Sequence, residues 1–179
     1  QSSPRGLYVL GDRLAFMDRD SSADGYLRAY DPATGHRTLV QPACGSTEQE
    51  SFADWTTPLP VTPDGRDFYL AFGYSPSCLQ RWDARTLTLD WSGALPSDFS
   101  SSLDYVTPAL GGSRLFVTDD RQVVAIASDS GAATTLLRAD DYRFTIEAAD
   151  DAHLLLRAER TRGTRRFELW AEDPADGSV

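Results

Sequence analysis

The sequence AYDPATG at residues 29–35 recurs along the 179-residue chain as a repeated motif. Related copies are RWDARTL at residues 81–87, AIASDSG at 125–131 and AEDPADG at 171–177, so successive copies start 44 to 52 residues apart. In such a motif a strand ends, an Asp side chain caps the turn, and Gly accepts a positive φ angle that reverses the chain. The sequence therefore predicts four copies of one strand-turn-strand unit.

Short runs of alternating apolar and polar residues, bounded by Gly, Pro, Asp and Ser, surround these motifs and are typical of strands and hairpins. They lie at residues 6–10, 13–17, 26–30, 67–72, 79–83, 114–118, 122–127, 153–157 and 166–170. An inner strand and its turn are predicted upstream of three motifs, in VTPDG at 61–65, VTPALGG at 106–112 and TIEAADD at 145–151. Units of 40 to 50 residues with four strands each are β-propeller blades.

The predicted fold is all-β: one propeller domain over residues 1–179, built from four-stranded antiparallel blades at about 6–41, 58–95, 103–140 and 141–179. The sequence ends where the outermost strand of the fourth blade is expected to begin, and it starts at Gln1, as a processed or trimmed chain does. Two interpretations stay open, a closed four-bladed ring and part of a larger propeller, completed by further blades or by another chain.

The repeat resembles the pyrroloquinoline-quinone-like and WD40-like propeller repeats, in which Ala-x-Asp-x-x-Thr-Gly is followed a few residues later by Trp. The first copy carries Ala29, Asp31, Thr34 and Gly35, and the second carries Asp83, Thr86 and Trp91 with Leu87 in the Gly place. The third departs further, with Ala127 in the Asp place and Gly131 retained. The resemblance implies a propeller; it does not imply the quinone, because surface-layer and outer-membrane assembly propellers carry similar repeats.

The composition excludes some chemistry. The net charge is −10, and all 17 basic residues are Arg. The absence of Lys excludes Schiff-base catalysis and a Lys-containing phosphate loop, and the acidic balance argues against a nucleic-acid partner. No apolar run is long enough to span a membrane as a helix. The two histidines, His36 and His153, have no Cys or His at zinc-ligand spacing, and no catalytic residues are predicted.

In a propeller, the loops between second and third strands and those between blades emerge on one face. This face is predicted to carry residues 18–25, 42–58, 74–77, 92–104, 119–121, 140–142 and 159–163. A calcium loop is one interpretation of Asp18, Asp20, Ser22 and Asp24, whose spacing alternates oxygen donors; a solvated hairpin tip is the other. No other cofactor is predicted. Trp55 and Phe52, in a long polar loop, are either a channel plug or a contact anchor.

We expect a non-catalytic, extracytoplasmic module that binds a protein partner or joins other subunits of an envelope complex. The predicted binding residues on the loop face are Phe52, Trp55, Tyr74, Arg160, Arg162 and Arg165. Two alternatives stay open: a propeller subunit or fragment of a quinoprotein amine or alcohol dehydrogenase, and a carbohydrate-binding propeller with exposed aromatic side chains. A periplasmic, cell-surface or secreted location follows if Cys44 and Cys78 form a disulfide; the alternative is two separate buried thiols.

The Cys44–Cys78 disulfide is directly testable. Intact mass measured on alkylated protein is expected to show no added alkyl group before reduction and two after it. The bond closes a 35-residue segment and is worth about 3 to 4 kcal/mol in the chain-entropy model, so the reduced protein is also expected to melt at a lower temperature. Two thiols that alkylate freely without reduction would contradict it.

Overall fold

The structure, a computed structural model, describes residues 5–19, 25–40, 60–72, 78–96, 98–99, 105–108, 112–119, 121–164 and 166–172. These residues form fourteen strands in four antiparallel sheets, and they contain no helix. No segment among them is therefore a helix able to span a membrane. The all-β prediction is confirmed.

Each sheet is a meander in which strands follow chain order. The first sheet contains β1 (Arg5–Leu10), β2 (Arg13–Arg19), β3 (Gly25–Tyr30) and β4 (Arg37–Val40). The second contains β5 (Asp67–Phe72), β6 (Cys78–Asp83) and β7 (Leu89–Ala94). The third contains β8 (Tyr105–Pro108), β9 (Arg114–Thr118), β10 (Gln122–Ala127) and β11 (Ala133–Arg138). The fourth contains β12 (Tyr142–Ala149), β13 (Leu154–Arg160) and β14 (Phe167–Glu172).

The second sheet has a short remnant of a fourth strand at its inner edge. Val61 forms an isolated antiparallel bridge with Phe68, and the Tyr69 amide donates to the Pro60 carbonyl at 3.0 Å. The described residues do not form a closed ring of sheets, so the number of blades and their exact division stay predictions.

The nine strand runs read from the sequence overlap nine of these strands. The strands that the alternation did not mark include β4, β7 and β11, the last strand of each of the first three sheets. Their side chains are mostly exposed on both faces, so an apolar-polar alternation has no burial to create it.

The repeated motif forms the same turn in the first three sheets. The amide of Gly35 donates to the Asp31 carbonyl at 2.8 Å, and the same bond joins Leu87 to Asp83 and Gly131 to Ala127, both at 2.9 Å. The last residue of the motif has a positive φ in each of these three copies: 73° at Gly35, 59° at Leu87 and 71° at Gly131. The predicted turn is therefore confirmed, including the left-handed position that Gly normally fills.

Leu87 shows how one repeat tolerates a side chain there. A non-Gly residue with this φ is strained by about 1 kcal/mol or more. Leu87 is only 8% exposed and belongs to the core between the first two sheets, so burial of its side chain offsets the strain.

Three apolar cores lie between consecutive sheets. The first core joins Leu10, Leu27 and Val40 of the first sheet to Phe68 and Leu70 of the second. The second core joins the opposite face of the second sheet, with Tyr69 and Leu79, to β9 and β10. The third core joins the opposite face of the third sheet to β12 and β13. Both faces of each of the two middle sheets are therefore buried.

A polar knot holds the second and third sheets together beside the second core. The Trp91 indole Nε1 donates to the Ser128 carbonyl at 2.7 Å, and the Arg81 guanidinium donates to the same oxygen. Arg81 also contacts Asp67 at 2.6 Å between Nη2 and Oδ2. Trp91 is thus a contact between the second and third sheets.

Gly131 lies directly against the Trp91 ring in this contact between the second and third sheets. A Cβ atom added there would lie 2.8 Å from Cε3 of Trp91. Gly131→Ala is expected to lower the free energy of unfolding by about 2 to 5 kcal/mol, because a clash is added to the positive-φ strain. Gly163→Ala is the matched control: φ is 79° there, but no atom lies within 4 Å of the added Cβ, and we expect a loss of about 1 to 2 kcal/mol.

Urea unfolding of both variants measures the difference. Equal losses would mean that the Trp91 contact contributes nothing. In a protein that carries Trp91→Leu, Gly131→Ala is expected to lower the free energy of unfolding by little more than Gly163→Ala does. A double-mutant cycle measures this difference as the coupling between residues 91 and 131.

Candidate functional site

A polar cleft of about 540 Å³ lies between the third and fourth sheets. It is bounded by the connection from β9 to β10, the connection from β11 to β12 and the loop from β13 to β14. These belong to the loop face predicted from the sequence, which included residues 92–104, 119–121, 140–142 and 159–163. The structure therefore brings four separate stretches of that face to one place.

Arginine and aspartate side chains dominate the lining of the cleft. Four arginines contribute, Arg121, Arg138, Arg143 and Arg162, against the three aspartates Asp98, Asp119 and Asp140. With Asp141, the ion-pair partner of Arg162, the described residues at the cleft carry as many carboxylates as guanidinium groups, in a chain whose net charge is −10. A ligand in this cleft therefore meets charged donors and charged acceptors side by side.

Asp119 and Gln122 form a rigid part of the lining. Asp119 is 5% exposed, and its Oδ1 accepts the amides of Arg121 and Gln122 at 3.0 and 3.1 Å. Its Oδ2 accepts from Gln122 Nε2 at 3.0 Å. The local sequence explains this turn, because Asp at a strand end caps the amides two and three residues onward. Oε1 of Gln122, which is 3% exposed, has no hydrogen-bond partner in the described part of the chain.

The arginines of the cleft differ in how they are paired. Arg138 donates to Asp98, and Arg162 contacts Asp141 at 3.3 Å between Nη1 and Oδ1 in a solvent-exposed pair. Arg121 is exposed, and its guanidinium makes no ion pair or hydrogen bond with the residues that the structure describes. Arg121 is therefore the donor most available to a ligand.

The Arg138 contact sets the protonation of Asp98. Its hydrogen bond lowers the pKa of the Asp98 carboxyl below the ordinary value of 3.8. The Asp98 carboxylate is thus paired with Arg138, and its pKa is lowered by that contact.

The predicted loop-face residues are only partly represented. Arg162 borders the cleft. Arg160 lies at the end of β13, is exposed, and pairs in register with Tyr142. Phe52, Trp55, Tyr74 and Arg165 lie outside the described residues, so the predicted binding set stays a prediction. The sequence did not single out Arg121, Arg138, Gln122 and Arg143; the signal available for them was their place at strand ends that border predicted loops.

The predicted calcium loop lies mostly outside the described residues, which omit Asp20, Ser22 and Asp24. The backbone of Asp18 lies in β2 and pairs with Tyr26. Among the residues that the structure covers, no group of three or more His, Cys, Asp or Glu side chains is placed to hold a metal ion. The calcium site stays a prediction.

Cys78 lies at the start of β6 and is 4% exposed, within the core between the first two sheets. In the described part of the chain no cysteine is a free thiol. Cys44 lies outside the described residues, so its pairing with Cys78 stays a prediction.

A second cleft lies at the other end of the strands, beside the turns that contain Asp12, Gly65 and Asp83. Its least exposed charges, Arg81 and Asp67, are paired with each other at 2.6 Å. These groups belong to the knot between the second and third sheets. The buried charges of the second cleft therefore serve the contact between the second and third sheets, and we assign no ligand to this cleft.

Two sheet faces carry exposed apolar side chains. On the outward face of the first sheet, Leu7 is 70% and Val9 67% exposed, and Val9 pairs in register with Leu14. On the outward face of the fourth sheet, Leu155 is 38% and Leu169 71% exposed. These are the faces of the first and fourth sheets that the three cores leave uncovered.

No protein-family model matches the sequence, and no curated protein matches it. Solved structures do match. One, of a prolyl endopeptidase, aligns with 99% of this chain and 28% of its own, at a TM-score of 0.64 and 15% identity. Another, an oligogalacturonate lyase in complex with manganese, aligns with 99% of this chain and 52% of its own, at a TM-score of 0.60 and 14% identity.

Both structures are β-propellers, so the comparison supports a β-propeller fold for this chain. The chain spans about a quarter of the endopeptidase and about half of the lyase. At these identities the likeness concerns the fold alone, and the resemblance to the pyrroloquinoline-quinone-like repeat stays a prediction.

The Asp98–Arg138 pair generates a pH prediction. In a carbon-detected NMR titration, the Asp98 carboxyl is expected to titrate below 3.8, and Arg138→Gln is expected to return it toward 3.8. Because the folded pKa is the lower one, the pair stabilises the fold above the unfolded pKa, and this stability is lost as the pH falls through the folded pKa. An unchanged midpoint in Arg138→Gln would contradict the assignment. Arg85→Gln, at a distant turn, is the control.

Proposed function

We propose that the chain is a non-catalytic, extracytoplasmic β-propeller module that acts as an assembly scaffold through protein-protein contacts. The observation that carries the proposal is the pair of outward sheet faces with exposed leucine and valine. Burying one such side chain contributes about 1.5 to 3 kcal/mol, so several together supply a substantial driving force for association. The location outside the cytoplasm rests on the predicted Cys44–Cys78 disulfide.

The proposed occupant of each face is a second copy of this chain. Each internal core packs the far face of one sheet against the near face of the next, and this happens three times. The first sheet has one face that no preceding sheet covers, and the fourth sheet has one face that no following described sheet covers. A second copy carries both, so the interface between chains repeats the arrangement already used within the chain.

Head-to-tail contacts of this kind close into a ring or continue as a filament. Two copies of four sheets would give eight, at the upper end of the range of common propellers. Leu7 and Leu169 stay 70% and 71% exposed, so the four described sheets do not cover them, and a second copy would.

Size-exclusion chromatography with light scattering tests the proposal. The expected mass is twice 19.7 kDa at micromolar concentration. Leu169→Asp is expected to shift the protein to the monomer, because a charge would be buried in the interface. Leu89→Asp is the matched control: Leu89 is a 37% exposed leucine of β7 outside both outward faces, and that variant should remain a dimer.

A complementation experiment tests the head-to-tail direction. Leu7→Asp and Leu169→Asp should each be monomeric alone, and their mixture should recover dimers through the one interface that both leave intact. A wild type that stays monomeric over all concentrations would overturn the second-copy assignment. A mass that grows without limit with concentration would overturn the closed ring.

A further inference from the structure

We infer that the cleft between the third and fourth sheets binds a sugar acid, that is, a polyhydroxylated unit that carries one carboxylate. This site is independent of the outward faces proposed for assembly. Its chemistry follows from the donors and acceptors that line it.

The carboxylate is assigned to Arg121. A guanidinium presents paired N–H donors whose geometry matches a carboxylate, and charge-assisted bonds of this type are about twice as strong as neutral ones. Asp98 already accepts from Arg138, so it leaves Arg121 available. The Asp119 turn fixes the backbone of Arg121 through its amide, so the position from which the side chain reaches out is set before a ligand arrives.

The hydroxyl groups of the ligand are assigned to the acceptors of the cleft. Asp140 is exposed at its rim and can accept from a hydroxyl. Among the residues that the structure describes, none is a hydrogen-bond partner of the buried Gln122 Oε1, and an unsatisfied acceptor costs about 1 to 3 kcal/mol. A ligand or ligand-bound water that donates to it would recover part of that cost.

An acidic peptide segment fits this lining less well. Its successive carboxylates would be brought near Asp98, Asp119 and Asp140, and like charges in one cleft repel. A sugar acid separates its single carboxylate from neutral hydroxyls. It therefore matches a lining in which cations and acceptors lie side by side.

The test uses calorimetric titration with D-galacturonate as the probe and D-galactose as its neutral counterpart. Galacturonate is expected to bind, and galactose to bind at least about tenfold more weakly, because it lacks the charge-assisted bond. Arg121→Gln is expected to weaken galacturonate binding by a similar factor. Arg85→Gln removes an exposed arginine at the opposite end of the strands and should leave the affinity unchanged.

Thermal melts of both variants check that they are folded. Arg121→Lys is a further variant, which keeps the positive charge but loses the paired N–H donors of the guanidinium. Equal affinity for galacturonate and galactose, or unaltered binding by Arg121→Gln, would overturn the inference. So would tighter binding of a Glu-rich peptide, which would assign the cleft to an acidic protein segment. Retained binding by the monomeric Leu169→Asp variant separates this result from the assembly proposal.

Discussion

Face-to-face packing of consecutive sheets is the interaction on which the rest of this structure depends. A sheet whose two faces are apolar is stable only when both are covered, and the second and third sheets meet that condition through three successive cores. The same arrangement leaves one face of the first sheet and one face of the fourth sheet uncovered, and each of these faces carries exposed leucine side chains. The described sheets therefore have two uncovered ends, and the assembly proposal rests on them.

The turns of the repeat show how one geometry is kept while its residues change. In the first copy, Asp31 accepts the Ala33 amide at 2.8 Å and the Thr34 hydroxyl at 2.7 Å, and Asp83 caps the second copy in the same way. The third copy has Ala127 in that place and loses the cap. Its backbone turn is retained through the bond from the Gly131 amide to the Ala127 carbonyl, and the neighbouring sheet adds Trp91 and Arg81 as donors to the Ser128 carbonyl.

The acidic charge of the protein has two different uses. Part of it caps turns: the Thr34 hydroxyl lowers the pKa of Asp31 and the Thr86 amide lowers the pKa of Asp83, so these carboxylates stay ionised to a lower pH than an ordinary Asp. Asp98 instead pairs with Arg138 inside the cleft. A net charge counted from the sequence does not separate these two uses.

The sequence by itself determined the all-β class, the repeated turn with its positive φ, and four loop stretches that border one cleft, because these depend on local spacing and on the backbone freedom of single residues. It did not mark the last strands β4, β7 and β11, whose exposed side chains lack periodicity. Only the tertiary structure placed Arg121 beside the Asp98–Arg138 pair and left Leu7 and Leu169 uncovered. Those facts depend on contacts between residues far apart in the chain, which no local pattern encodes.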